Sequence, residues 1–193
     1  LMATGPPTDN NASQFKAGAH KIIDASGYTV LAEFDTPGWD PTKAQDWVAG
    51  QITQFGSQIK AIYAANDGTA GGAIASLKAA GVNPLPPVTG QDAELAGIQR
   101  ILAGDQFMTV YKALKPEAER AAQLAVDLVN GKTDKGDTTV TTKGGADIQS
   151  FLLVPVAVTV DNIMDTVVAD GFYKVSDICT ADFAAACATA GIK

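Results

Sequence analysis

The chain has 193 residues, 46% of them hydrophobic and 18% charged. That excludes a disordered segment and supplies enough chain for one sizeable core. Fourteen basic residues stand against 21 acidic ones, a net charge of −7, so neither nucleic acid nor an anionic membrane surface is a fitting partner. No apolar run approaches the ~18 residues of a membrane-spanning helix, and the opening residues do not read as a signal peptide. Leu1-Met2-Ala3-Thr4 reads as the tail of a strand, which predicts a chain that begins within a fold.

Residues 9–26 carry Ala12, Phe15, Ala19, Ile22 and Ile23 at helical spacing, and Gly27 ends the pattern. Residues 28–34 predict a strand. Asp40-Pro41 opens a second helix with Ala44, Trp47, Val48, Ile52 and Phe55 on one face. The apolar run 59–65 predicts a buried parallel strand, followed by a helix over 69–80 that Gly81 closes. A weaker strand over 84–90, a helix over 93–103 and a strand over 107–111 continue the alternation. Such a β-α-β-α order predicts an α/β fold: a three-layer, doubly wound, mostly parallel sheet of flavodoxin-like type.

Residues 116–130 give the clearest helix, with the stripe Leu114, Ala118, Ala121, Ala125 and Leu128. The polar stretch 133–145 predicts a surface loop or hairpin. Residues 151–160 favour a strand that Pro155 interrupts. Residues 161–169 and 180–190 predict terminal helices. Repeats and low-complexity tracts are lacking.

Catalytic constellations are scarce. His20 is the only histidine and sits beside Lys16 and Lys21, which fits a solvated or partly packed side chain better than a general base. There is no G-x-S-x-G, H-E-x-x-H or P-loop. Gly71-Gly72 lacks the Lys and Ser/Thr of a phosphate loop, and close helix–sheet packing accounts for it. Cys179 and Cys187 lack further Cys or His neighbours, so a zinc site is not expected. They are either buried thiols or, in an oxidising compartment, a disulfide. The chain is expected not to be an enzyme and to need no cofactor or metal.

Polar residues do mark three strand ends. Asn66 follows the strand over 59–65, Asp92 the strand ending at Gly90, and Lys112 the strand over 107–111. Ligands of open α/β sheets sit outside the carboxyl ends of the strands. An amide, a carboxylate and an ammonium there suit a polyol: Asn donates and accepts, Asp accepts from two hydroxyls, and Lys donates. Trp39 can stack on the C–H face of a ring or belong to the core. Asn66 and Asp92 can equally cap the helices that follow them.

Three blocks carry a family resemblance. The segments Asn66-Asp67-Gly68-Thr69-Ala70-Gly71-Gly72-Ala73, Gly90-Gln91-Asp92-Ala93-Glu94-Leu95-Ala96-Gly97-Ile98-Gln99-Arg100-Ile101 and Met108-Thr109-Val110-Tyr111-Lys112, with their spacings, resemble the D-xylose-binding branch of the type I periplasmic binding proteins, the sugar-binding components of ABC importers. Asp9-Asn10-Asn11-Ala12 and Gly38-Trp39 are similar as well. Ribose-type relatives carry G-F-D where this chain has Gly90-Gln91-Asp92, and they usually lack the equivalent of Lys112. The resemblance implies that Asn66, Asp92 and Lys112 bond sugar hydroxyls, that Trp39 stacks on the ring, and that Asn11 (or Asn10) adds a polar contact.

It also implies an architecture. Residues 1–111 and 156–193 would form a C-terminal lobe, and residues 112–155 an excursion belonging to an N-terminal lobe whose remainder is outside this chain. Alone, the chain would then hold a pentose weakly. Its stripe on the 116–130 helix would lack its sheet, and a homodimer, swapped through residues 112–155, is expected. The implied partners are a monosaccharide and an ABC permease, and the implied location is extracytoplasmic. Other readings are the effector-binding core of a sugar-responsive transcription regulator, half of a flavodoxin-like enzyme, and an oligomerisation module.

Overall fold

The computed structural model describes residues 1–133 and 135–192. They form two compact units, Leu1–Tyr111 with Ala157–Lys193, and Lys112–Val156.

The first unit is built on β1 (Met2–Thr4), β2 (Glu33–Asp35) and β3 (Tyr63–Ala64), all parallel, in the order β2-β1-β3. Ile62 bridges Val88 in parallel, extending the sheet beyond β3. The Phe107 N–H donates to Val88 O at 3.0 Å and the Asp92 N–H to Val110 O at 2.9 Å, which brings in β4 (Thr109–Tyr111). β4 pairs in turn with β7 (Val156–Val158). The chain therefore runs outward from β1 to β2 and then returns past β1 to β3. This reversal leaves a crevice between the carboxyl ends of β1 and β3.

The helices begin where their sequences dictate. Asp9 caps α1 (Asn10–Ile23), accepting the Asn11 N–H at 2.8 Å. Asp40 caps α2 (Pro41–Phe55), accepting from Thr42 at 2.9 Å, with Pro41 in the first helical position where its missing N–H costs nothing. α3 (Asp67–Ala79) buries Ala70, Ala73, Ile74 and Leu77 against Val48, Ile62 and Val88. A Cβ on Gly72 would stand 2.2 Å from the Pro41 carbonyl oxygen. Gly72 thus serves a close approach of α3 to α2, helix against helix rather than helix against sheet. α4 (Leu95–Leu102) follows, with Ile98 and Ile101 buried.

Several expected elements shrink. The strand expected over 28–34 reduces to Glu33–Asp35, because Tyr28 is 81% exposed and only the Ala32 carbonyl ahead of β2 accepts from the sheet, taking the Met2 N–H at 3.0 Å. The strand expected over 84–90 reduces to the single bridge at Val88, since Pro84, Pro86 and Pro87 have no N–H to give a ladder. The strand expected over 151–160 starts only after Pro155. The helix expected over 161–169 resolves into a 3₁₀ turn, Val160–Asn162, and a π turn, Met164–Val168. After α6 (Val175–Ile178), a 3₁₀ turn and α7 (Ala184–Thr189) close the chain. Cys179 and Cys187 are joined by a disulfide.

The second unit holds α5 (Leu114–Val129) and an antiparallel hairpin of β5 (Thr138–Thr141) and β6 (Asp147–Ser150). None of its described residues is buried. The stripe on α5 lies open, with Leu114 56% and Leu128 68% exposed.

Candidate functional site

The crevice side of the first unit is formed by the segments that leave β1, β2 and β3. The Thr4 hydroxyl, at the end of β1, donates to the Asp35 carboxylate at the end of β2 at 2.7 Å. Gly5 follows, and the Trp39 ring lies over it: a Cβ there would stand 2.2 Å from two of its ring carbons. Trp39 itself adopts a left-handed backbone, φ 58°, directly after Gly38, φ 66°. Its indole N–H donates to Asp9 Oδ2 at 3.1 Å. The ring is half-buried, set against a strand end instead of inside the core. Asn11 lies exposed in the first turn of α1, as does Asn10.

Asn66 ends the β3 segment and caps α3. Its Oδ1 accepts the Thr69 N–H at 2.8 Å and the Thr69 hydroxyl at 2.7 Å. Capping engages only the oxygen, so the side-chain NH2 remains outside it. Asp92 is not at the N-cap position of the helix that follows it. α4 has Glu94 at its N-cap position with no side-chain cap of its own, and Asp92 stands two residues earlier with φ 91°, followed by Ala93 at φ 51°. Two successive non-glycine residues in the left-handed region carry backbone strain, which persists only where the surroundings impose it. Lys112 directly follows β4 and is the first residue of the second unit.

Asp67 was not singled out by sequence reasoning, yet it organises this rim. Its backbone N–H donates to Gln91 O at 2.9 Å. Its carboxylate, fully buried, accepts from Gln106 Nε2 at 2.7 Å, the Thr109 hydroxyl at 2.8 Å and the Glu94 N–H at 2.8 Å. Arg100 donates to the Asp67 carbonyl at 2.6 Å and to Gln106 Oε1 at 2.9 Å. Burial pushes the Asp67 carboxyl above the ordinary range, against these hydrogen bonds and the Arg100 charge. All three partners of the carboxylate are donors, so the network calls for the ionised form. A Cβ would stand 2.0 Å from this carboxylate at Gly90 and 2.5 Å from it at Gly97. Those two glycines make the space it occupies. An acid in a first helical turn ordinarily faces solvent, and nothing local in the sequence marks this one as buried.

His20 lies apart from this rim. Its ring nitrogens contact Glu33 at 2.6 Å and Asp24 at 3.2 Å, and Lys16 pairs with both Glu33 and Asp35. Two of the cavities, about 640 and 660 Å³, open near the amino ends of the strands and are lined mainly by aliphatic, aromatic and proline residues. Neither brings convergent polar groups together. Among the described residues, no group of three or more His, Cys, Asp or Glu can hold a metal ion. No helix among them is long and apolar enough to cross a membrane.

Residues 1–133 match the periplasmic binding protein domain family. Across 182 residues the chain is 44% identical to the D-xylose-binding periplasmic protein of Escherichia coli K12, covering 92% of this chain and 55% of that protein. It is 39% identical to the D-xylose-binding periplasmic protein of Haemophilus influenzae, covering 92% and 54%. An ABC transporter solute-binding protein from Clostridium phytofermentans, solved with bound β-D-glucose, superposes with a TM-score of 0.79 at 26% identity, covering 92% of this chain and 59% of that one. A carbohydrate transporter solute-binding protein from Chloroflexus aurantiacus, in complex with D-glucose, gives 0.78 at 27% identity over 91% and 60%. The chain thus spans a little over half the length of these relatives. With its parallel sheet, its reversal between β1 and β3 and these matches, the chain belongs to the periplasmic binding protein family and has the type I fold of sugar-binding members.

Proposed function

We propose that this chain supplies one wall of a monosaccharide site in the solute-binding component of an ABC importer, and that its ligand is D-xylose or a closely related aldopentose. The observation that carries this reading is the rim itself. Asn66 and Asp92 lie on adjoining strand-end segments joined by the Asp67–Gln91 hydrogen bond, in a chain 44% identical to a D-xylose-binding protein. Asp92 accepts from sugar hydroxyls, the Asn66 NH2 group donates to them, and Trp39 offers its ring to the C–H face. Lys112 and Asn11 complete the polar set. Charge-assisted bonds of this kind contribute about 1.5–3 kcal/mol each.

Residues 1–111 and 156–193 then act as one lobe, and residues 112–155 belong to the other. The function is capture and closure with no chemical step. It is performed outside the cytoplasm, in concert with a membrane permease. The open apolar face of α5 packs against further chain of the second lobe in the whole protein, or against a second copy of this chain when it stands alone.

A thermal-shift panel on the protein expressed from its complete gene tests the reading. D-xylose is expected to raise the melting temperature more than ribose, arabinose or glucose. A panel in which no pentose moves it defeats the proposal. Light scattering on the chain alone is expected to give a dimer, and a monomer at high concentration removes the swapped arm.

A further inference from the structure

Three consecutive backbone N–H groups hold the strained segment that carries Asp92. Asp92 N donates to Val110 O at 2.9 Å, Ala93 N to the Thr109 hydroxyl at 3.1 Å, and Glu94 N to Asp67 Oδ2 at 2.8 Å. A fourth bond acts on the same segment, from the Tyr173 hydroxyl to Ala93 O at 3.0 Å. The Thr109 hydroxyl has one hydrogen. It accepts from Ala93, so that hydrogen goes to Asp67, 2.8 Å away. Two of the three N–H groups therefore depend on the Asp67 carboxylate, one directly and one through Thr109.

We infer that Asp67 is a positioning residue for the sugar site, holding Asp92 in its left-handed conformation through Thr109 and the Glu94 amide. The inference rests on the sugar-binding reading above. Asp92 at φ 91° and Ala93 at φ 51° sit where L-residues are disfavoured. Without the clamp, this segment relaxes to ordinary backbone angles and turns the Asp92 side chain away from its present direction. Asp67 also sits directly after Asn66, so one buried carboxylate sets the register of both polar ligands. Gly90 and Gly97 open the space for it, which explains two glycines seven residues apart in a stretch that must pack tightly.

Asp67→Ala removes the acceptor outright, whereas Asp67→Asn keeps one oxygen, which at the Oδ2 place still accepts from Glu94 and Thr109 and sets its NH2 group against the Gln106 donor. Thr109→Val removes the relay alone. Calorimetry on the protein from its complete gene reads Kd and stoichiometry for D-xylose separately. Amide hydrogen exchange reads the clamp with no ligand present. Asp67→Ala and Thr109→Val are each expected to weaken binding by about tenfold or more at unchanged stoichiometry. They are also expected to speed exchange at Asp92, Ala93 and Glu94 selectively, and Asp67→Asn to keep most of the affinity. A merely structural role lowers stoichiometry and melting temperature but leaves Kd alone, and that result overturns the inference while the sugar reading stands. If Asp67→Ala does not fold, Thr109→Val carries the same decision. Wild-type protein that binds no pentose overturns both.

Discussion

The Asp9 carboxylate joins two structures that are separate in sequence: Oδ2 accepts the Trp39 indole N–H at 3.1 Å, while Oδ1 accepts the Asn11 N–H that starts α1 at 2.8 Å. The loop after β2 and the helix after β1 are thereby tied together beside Gly5, and Trp39 is held by its edge.

The Trp39 bond, then the Asn11 bond, holds the Asp9 carboxyl below its ordinary range. A carboxyl depressed in the folded state contributes stability above the unfolded-state value of about 3.9, and that contribution disappears as pH falls through the lower folded value. In a Trp47→Phe background, the fluorescence of Trp39 is therefore expected to change in an acid transition below pH ~4 that Asp9→Ala abolishes. A transition unaffected by that substitution contradicts the link.

Gly5→Ala tests the seat of Trp39 from the other side. The new Cβ would stand 2.2 Å from the ring carbons, so the ring must leave its place and give up Asp9. A loss of about 1–3 kcal/mol by chemical denaturation is expected from overpacking, together with red-shifted Trp39 emission and weaker sugar binding. Unchanged emission shows that the ring does not depend on Gly5.

Much of the first unit was legible because its signals are local. Asp40-Pro41 marks the start of α2, the apolar run before Asn66 marks a buried strand, and Gly81 marks the end of α3. Where three prolines remove donors, at 84–87, the strand reading failed in extent. The rim residues were legible as polar groups at strand ends. Asp67 was not, because its burial is created by Gly90, Gly97, Gln106 and Thr109, and only the fold brings those four around it. The stripe of α5 was legible as an amphipathic face, but periodicity does not tell what covers it.

His20 predicts a shallow alkaline loss of stability. Its bond to Asp24, then the one to Glu33, raises the imidazole above its ordinary value, so the contribution is fully present below pH ~6.5 and fades as pH rises through the folded value. The site is solvent-screened, and Lys16, which also pairs with Asp35, pairs with Glu33 as well, so the effect is expected to stay under about 1 kcal/mol. Melting temperatures of His20→Gln and wild type should differ below pH ~6.5 and converge above the folded value. Parallel curves contradict the assignment.

The disulfide between Cys179 and Cys187 closes a loop with a sequence separation of 8. Limiting the unfolded chain in this way stabilises by about 2–3 kcal/mol. Cys179→Ser/Cys187→Ser, or a reducing agent, is expected to lower the melting temperature without altering sugar selectivity. A change in which sugar binds implies that these cysteines touch the site.

The most direct test of the sugar-binding account is calorimetric titration of D-xylose into the protein from its complete gene, beside its Asp92→Ala variant. Saturable one-to-one binding by the wild type, weakened by about tenfold or more in Asp92→Ala with melting temperature and stoichiometry preserved, is the predicted result. Equal affinity in the two proteins contradicts the account.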